Sequence, residues 1–257
     1  MLIDAHCHLD DEQFAHDLAD VIVRAEQAGV QTLITAGVDV ESSRRVVALA
    51  EKYRIVYAVV GIHPQHADTC NDENLKTICE LATHRKIVGI GEIGLDFYWA
   101  QNPPREMQIE NFAAHLELAA ELSKPVVIHN RNADDALMEI LRRQGVQPNA
   151  PTMRGILHCF SGDLAMAREA IDLGYLISFA GNLTFKNATR LQEIAKVLPL
   201  EKIIVETDAP YLSPARGKRN EPANVALVAK KIAELKNIDA MTAEKITTHN
   251  SQKLFGI

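Results

Sequence analysis

The sequence predicts a closed (β/α)8 barrel, and three observations predict it. Eight short runs of β-branched and other apolar residues recur along the chain at a mean spacing of about 29 residues, close to the length of a βαβ unit. Runs such as 126–128 and 203–205 are continuously apolar, which is typical of parallel strands covered on both faces. Eight such units within 257 residues match the size of a TIM-like barrel, whereas a doubly wound open sheet is the second possibility.

The apolar runs predict the strands, and the segments between these runs predict the helices. The predicted strands are residues 2–5, 31–36, 55–61, 86–91, 125–129, 155–158, 175–179 and 202–206. The intervening segments have apolar residues three or four positions apart, for example Leu18, Val21 and Ala25, which is typical of helices with one buried face. Segment 242–255 is expected to be a closing helix capped by Thr242.

The composition predicts one globular domain over residues 1–257. Hydrophobic residues make up 47% and charged residues 24%, and no Pro/Gly/Ser-rich linker divides the chain. The net charge of −7 argues against a surface that binds nucleic acid along its whole length, although it leaves room for a local basic patch. With no apolar segment of membrane-spanning length and no signal-peptide pattern, we expect a cytoplasmic protein without membrane contact. No feature predicts an obligate protein partner.

Residues whose side chains can bind metals or take part in catalysis follow the predicted strands, at the ends where a parallel barrel has its active site. They are His6 and His8 after the first strand, His63 after the third, Glu92 after the fourth, His129 and His158 at the ends of the fifth and sixth, and Asp208 after the eighth. The other five histidines are expected in solvated helices or loops. They are His16, His66, His84, His115 and His249.

Six of these residues predict a metal centre. His6 and His8 are two apart on an extended segment, so they share a face and can chelate one divalent ion. A carboxylate can bridge two ions, and six candidate ligands exceed what one tetrahedral zinc uses, so two ions that share Glu92 fit better. The six are His6, His8, Glu92, His129, His158 and Asp208. Mixed nitrogen and oxygen ligands suit zinc, manganese or related ions, and the sequence does not choose among them.

Three rim residues have two interpretations each. Asp208 is a metal ligand and proton acceptor, or an Asp that starts a turn before Pro210. His63 donates a hydrogen bond to a substrate oxygen, or caps the turn at Pro64. Glu206 should share a face with Asp208 and orient a ligand histidine, or be a buried, hydrogen-bonded polar residue.

Four basic residues are candidates for binding a substrate phosphate. Arg131 follows His129, and Arg216, Lys218 and Arg219 follow the eighth strand. Barrels often bind phosphate after this strand, although short basic runs are usually solvated surface.

Five motifs resemble those of the TatD-type metal-dependent hydrolases of the amidohydrolase superfamily. They are DAHCHLD at 4–10, GIHP at 61–64, GEIGLD at 91–96, HCFSG at 158–162 and ETDAPYL at 206–212, and they extend from the first strand to the last. Where the family commonly has Arg-Asp-Ala after the fifth-strand histidine, this chain has Arg131-Asn132-Ala133. This departure leaves the ligands intact and affects the expected substrate contacts of that loop.

The resemblance implies a TIM-like barrel with a two-metal centre and DNase or phosphodiesterase activity, often of the 3′-to-5′ exonuclease type. It implies that His6, His8, Glu92 and Asp208 hold one ion and that Glu92, His129 and His158 hold the other. The implied cofactors are two divalent ions, magnesium, manganese or zinc, and the implied substrates are DNA ends or small phosphodiesters. Glu92, Asp208 and His63 are the expected catalytic residues.

Two other functions remain open. The same metal centre would also serve an enzyme that hydrolyses a small amide, lactone or ester, because fold and metals do not fix the substrate. A non-catalytic metal-binding protein on a barrel scaffold is the more remote alternative.

Overall fold

Eight parallel strands form one sheet in chain order, and the sheet curves into a nearly closed barrel. In this computed structural model, residues 1–144, 154–215 and 217–257 are described. The strands are β1 (Leu2–Cys7), β2 (Val30–Ala36), β3 (Val56–Val60), β4 (Ile87–Asp96), β5 (Val126–Arg131), β6 (Gly155–Leu157), β7 (Tyr175–Phe179) and β8 (Ile203–Val205). The predicted (β/α)8 barrel is confirmed, and the open sheet is excluded.

Helices follow the strands and pack around the sheet. They are α1 (Leu18–Gln27), α2 (Val40–Lys52), α3 (Asp72–Ala82), α4 (Arg105–Glu121), α5 (Asp134–Arg143), α6 (Leu164–Asp172), α7 (Thr189–Val197), α8 (Val225–Lys236) and α9 (Ala240–Phe255). Within the described ranges, no helix is long and apolar enough to cross a membrane.

The barrel closes where the first and last strands meet. Cys7 forms an isolated parallel bridge with Ala209, and the backbone N–H of Asp208 donates to the carbonyl of His6 at 3.0 Å. Deeper in the barrel, Thr207 donates from both its backbone N–H (2.8 Å) and its hydroxyl (2.5 Å) to the buried carboxylate of Asp4. This closure brings the end of β1 and the segment after β8 side by side.

Two apolar layers flank the strands. The outer layer packs strand residues against helices, and the inner layer contains almost only strand residues. Leu254 and Phe255, at the end of α9, join the inner layer. Because α9 lies against the bottom of this layer, substrate has access from the opposite end, where the strands finish.

Because side chains alternate along a strand, every second residue lies on the inner face. Along this face the residues change from apolar in the core to polar at the rim. Val127 faces inward and His129 follows it two residues later, and the same spacing relates Ile156 to His158. In β1, a register irregularity between Asp4 and Cys7 interrupts the simple alternation.

Several predicted boundaries were wrong by a few residues, with one consequence for the site. β4 continues to Asp96 instead of ending at residue 91, so Glu92 lies within a strand and not in a loop. The closing helix begins at Ala240, and its cap is Asp239, whose carboxylate accepts from the backbone N–H of Thr242 at 2.9 Å. Thr242 lies in the first turn because the Asp side chain reaches the free N–H groups from outside the helix.

Candidate metal centre

The carboxylate of Glu92 lies at the centre of a cluster of histidines. Its Oε2 is 3.3 Å from His6 Nε2 and 3.6 Å from His8 Nε2. Its Oε1 is 2.9 Å from both His129 Nδ1 and His158 Nε2. The two oxygens of Glu92 therefore face different sets of imidazoles, an arrangement in which each oxygen could bind a separate cation.

Asp208 completes the side of the cluster built by β1. Its Oδ1 lies 3.8 Å from His6 Nε2 and 3.5 Å from His8 Nε2. Asp208 has a φ of 59°, a left-handed conformation that Asp tolerates better than most residues. The structure thus brings together all six of the residues predicted to bind metal.

Glycines allow β4 to approach β5 closely at this point. Gly91 has a φ of 147°, and a Cβ there would lie 2.5 Å from the carbonyl oxygen of Val127. A Cβ on Gly94 would overlap the carbonyl oxygen of His129. Any larger residue at either position would push apart the two strands that carry Glu92 and His129.

The donor set fits divalent cations. His6 Nε2 lies 3.3 Å from His8 Nε2, and His129 Nδ1 lies 3.4 Å from His158 Nε2, so ring nitrogens converge in pairs beside carboxylate oxygens. In each of three groups of these side chains, one ligand atom per residue lies within 4.8 Å of the others. Converging nitrogen and oxygen lone pairs are the ligands that borderline divalent metals prefer.

The directions of the pKa shifts also indicate that the centre stabilises positive charge. Burial alone would raise the pKa of Glu92, but the imidazoles of His158, His63 and His6 hold it well below its ordinary value. Burial would lower the pKa of His158, but Glu92 and Glu206 raise it well above its ordinary value. The Glu92 carboxylate is thus ionised and stabilises cationic charge within a buried site, whether protons or metal ions supply it.

His63 satisfies parts of both interpretations. Its Nδ1 accepts a hydrogen bond from the backbone N–H of Gln65 at 3.1 Å, which caps the turn. Its Nε2 lies 3.4 Å from Glu92 Oε1 at the cavity. Burial lowers the pKa of His63 to about 4, so the ring is neutral at pH 7 and carries its proton on Nε2. His63 can therefore donate a hydrogen bond into the cavity.

Two buried carboxylates lie behind the histidines. Glu206 Oε1 is 3.3 Å from His158 Nδ1, and Glu206 is itself fixed by the backbone N–H of Cys159 (2.6 Å) and the hydroxyl of Ser178 (2.5 Å). Asp96 Oδ2 is 3.4 Å from His129 Nε2. Both pairs are close enough for charge interaction, although neither is aligned as a hydrogen bond.

Sequence reasoning missed the role of Asp96. The signal was present, because residues 92, 94 and 96 share one face if β4 continues past Gly91, and Asp96 is then placed to face the β5 histidine.

The centre opens into a cavity of about 1000 Å³. Arg131 lines it, with its guanidinium carbon 4.1 Å from the ring centroid of Tyr98 and 5.1 Å from that of Trp99. Asn132, where the sequence departs from the family pattern, has a φ of 54°, a conformation in which Asn is favoured.

The basic residues after β8 lie elsewhere. Arg219 donates through both terminal nitrogens to Asp17 (2.8 and 2.7 Å), to Glu221 (3.0 Å) and to the carbonyl of Gln13. Neither Arg219 nor the exposed Lys218 is among the residues lining the cavity. The geometry therefore argues against Arg219 as a phosphate ligand, because its donors are already used. Arg216 lies outside the described residues.

His115 is a correction. It is fully buried, not solvated, with its Nδ1 2.9 Å from the carbonyl of Asn111 and its Nε2 accepting from the backbone N–H of Ile62 at 3.2 Å. Burial lowers its pKa to about 4, despite the contact with Asn111. A neutral ring thus supports the segment immediately before His63.

A buried cluster of histidines around a shared carboxylate, at the open end of a (β/α)8 barrel, defines a metal-dependent hydrolase. The family model described as "TatD related DNase" matches residues 3–256. An uncharacterized metal-dependent hydrolase of Bacillus subtilis, YabD, is 41% identical over the full length of both chains. YcfH of Escherichia coli, also described as an uncharacterized metal-dependent hydrolase, is 36% identical and covers 100% of this chain and 96% of its own.

A solved structure also supports membership of this family. YJJV, a TatD homologue from Escherichia coli, has a TM-score of 0.92 and 33% identity, and covers 100% of this chain and 98% of its own. The chain belongs to the TatD family and is a metal-dependent hydrolase of that family, which confirms the resemblance seen in its motifs.

Proposed function

We propose that the protein is a deoxyribonuclease or phosphodiesterase of the 3′-to-5′ exonuclease type, which uses two divalent ions. The observation that carries this proposal is Arg131. Among the described residues two arginines line the cavity, and Arg45 is bound to the carboxylate of Asp10 at 2.9 Å. Within the part of the chain that the structure describes, Arg131 has no such ion pair. A free guanidinium beside a metal centre suits a phosphodiester better than a neutral amide or lactone.

The charge of the cavity supports two cations. Six carboxylates and, among the described residues, two arginines line the cavity, so with its histidines counted as neutral the lining has a formal charge that two divalent ions would neutralise. Without bound cations or protonated histidines, the lining would repel a phosphodiester. The six acidic residues are Asp10, Asp11, Glu12, Glu92, Asp96 and Asp208.

His6, His8, Glu92 and Asp208 would hold one ion, and Glu92, His129 and His158 the other. Bound divalent ions would polarise the phosphodiester and lower the pKa of the attacking water. Burial raises the pKa of Asp208, but its hydrogen bond with His8 and nearby imidazole charges lower it below the ordinary value, so the carboxylate is ionised and can accept a proton. The Nε2–H of His63 would donate to a phosphoryl oxygen, and Arg131 would hold the same phosphate group.

The family description as a DNase adds support, although the relatives named above are uncharacterized. The 3′-to-5′ polarity rests on the resemblance of the motifs alone, since the family description names no polarity.

A second candidate is a hydrolase of small, uncharged amides, lactones or esters. The rim residues Asp10, Asp11 and Glu12 favour it, because they would repel a long polyanion.

Hydrolysis of a substrate panel distinguishes the two candidates. The manganese-loaded protein is assayed with single-stranded DNA blocked at either end, with duplex ends, with small phosphodiesters and with lactones and amides. We expect hydrolysis of phosphodiesters, and release of nucleotides from a free 3′ end but not from a blocked one. Turnover of lactones or amides with no phosphodiester cleaved would overturn the proposal.

A further inference from the structure

The loop between β4 and α4 presents two aromatic side chains at the mouth of the cavity. Tyr98 is 50% exposed and Trp99, the single tryptophan of the chain, is 40% exposed. Their rings meet edge to face, with centroids 4.8 Å apart and planes at 87°. Trp99 lines the cavity together with Arg131. Rings this large and this exposed are available to a ligand that enters the cavity.

Arg131 lies over both rings, at 4.1 Å from the Tyr98 centroid and 5.1 Å from the Trp99 centroid. A guanidinium that stacks on aromatic faces keeps its N–H groups at the edges, where they can donate to a phosphate. The exposed part of the Trp99 ring and the guanidinium plane of Arg131 each offer a face to a planar group. Nucleobases stack on aromatic rings and on guanidinium planes irrespective of sequence, because every base has a π face.

The loop is fixed relative to the metal centre. Buried Gln108 accepts from the backbone N–H of Asp96 (2.8 Å) and donates to the carbonyls of Asp96 (3.0 Å) and Pro103 (2.8 Å). Asp96 Oδ1 accepts from the backbone N–H of Tyr98 at 3.0 Å, and its Oδ2 lies 3.4 Å from His129 Nε2. One carboxylate therefore positions both a metal-binding histidine and the start of the aromatic loop, which sets the spacing between them in advance of binding.

We propose that Trp99 and Arg131 form a platform on which the unpaired nucleobase next to the scissile phosphodiester stacks. This inference rests on the proposed function and requires that the stacked base be unpaired, because a base inside a duplex is already stacked on its neighbours. Arg131 holds the phosphate by its edge while the aromatic surface holds the base.

Tryptophan fluorescence tests the platform without turnover. The magnesium-loaded protein is titrated with 2′-deoxyadenosine 5′-monophosphate and with 2-deoxyribose 5-phosphate, which carries the same phosphate without a base. We expect the nucleotide to quench the single tryptophan and to bind roughly 10- to 100-fold more tightly than the sugar phosphate. Equal affinities would overturn the platform.

Hydrolysis of paired oligonucleotides gives the second test. One single strand carries normal bases, and the other carries abasic residues at its 3′ end. In Trp99→Ala, kcat/KM should fall roughly 10- to 100-fold on the normal strand and stay unchanged on the abasic one, with partial recovery in Trp99→Phe. Leu227→Ala, at an apolar residue of α8 that is 45% exposed and does not line the cavity, is the control, with no change expected on either strand.

The two failures are distinguishable. If the wild-type protein cleaves neither strand, the proposed phosphodiesterase function fails. If it cleaves both strands equally well and Trp99→Ala leaves this unchanged, the platform alone fails.

Discussion

The metal centre and the mouth of the cavity contrast in how they are built. At the centre, His6 is fully buried and Glu92 is 4% exposed, and carboxylates such as Glu206 support the ligands from behind. At the mouth, Trp99 is 40% exposed and Arg131 rests on aromatic rings. Buried, mutually supported groups suit the chemistry that the family shares, whereas an exposed loop can differ between relatives without disturbing that chemistry.

The largest effect should come from a substitution in the metal centre. Glu92→Gln keeps the size of the side chain but removes the charge that faces five imidazoles. We expect kcat/KM to fall by roughly 1000-fold or more, since the charge stabilisation that bound metals supply is worth several kcal/mol. Steady-state kinetics and elemental analysis measure the loss of activity and of bound metal.

Glu117→Gln is the matched control, because Glu117 is exposed on α4 and should tolerate the change. Wild-type activity and metal content in Glu92→Gln would contradict the assignment of metal binding and chemistry to the centre.

A smaller effect should follow from the carboxylates behind the histidines. Asp96→Asn and Glu206→Gln should each weaken metal binding by roughly 10- to 100-fold, because such partners orient ligand histidines and raise their basicity. Competition with a chelator measures the metal Kd. If Tm falls while the metal Kd is unchanged, the two residues stabilise the fold and do not position ligands.

Arg131 tests the mouth itself. Arg131→Gln should raise KM for a phosphodiester by roughly 10-fold or more, since a hydrogen bond to a charged group contributes about 1.5–3 kcal/mol. Arg131→Lys should recover part of this loss, because the charge returns without the planar edge. The matched control is Arg44→Gln, an exposed arginine of α2 that does not line the cavity. Equal KM values for Arg131→Gln and Arg44→Gln would contradict the assignment.

The smallest effect on activity should come from Arg219. Because Asp17 and Glu221 bind its guanidinium away from the cavity, Arg219→Gln should leave KM unchanged and lower Tm by roughly 1–3 °C. A rise in KM comparable with that of Arg131→Gln would indicate that the basic segment after β8 binds the substrate phosphate.

The sequence identified the barrel because it follows from strand periodicity, and it predicted that the six candidate metal ligands lie together because parallel strands end at a shared edge. It did not identify Asp96, since the predicted strand stopped at residue 91 and left Asp96 in a loop. The sequence could not show that Arg219 pairs with Asp17, because the two residues are 202 positions apart. His115 was expected in solvent, although its helix turns that side chain toward the segment before His63.

The aromatic mouth was not predicted either. Its position depends on Gln108, whose hydrogen bonds to Asp96 and Pro103 shape the loop. Local sequence patterns carry little information about such side-chain-to-backbone contacts, because the two groups meet only in the folded chain.

The most direct test of a centre bridged by Glu92 is the activity of the metal-stripped protein as manganese is added back. The account predicts that phosphodiester hydrolysis is absent without metal and rises until two ions are bound per chain. Full activity in the stripped protein, or a maximum at one ion per chain, would contradict it.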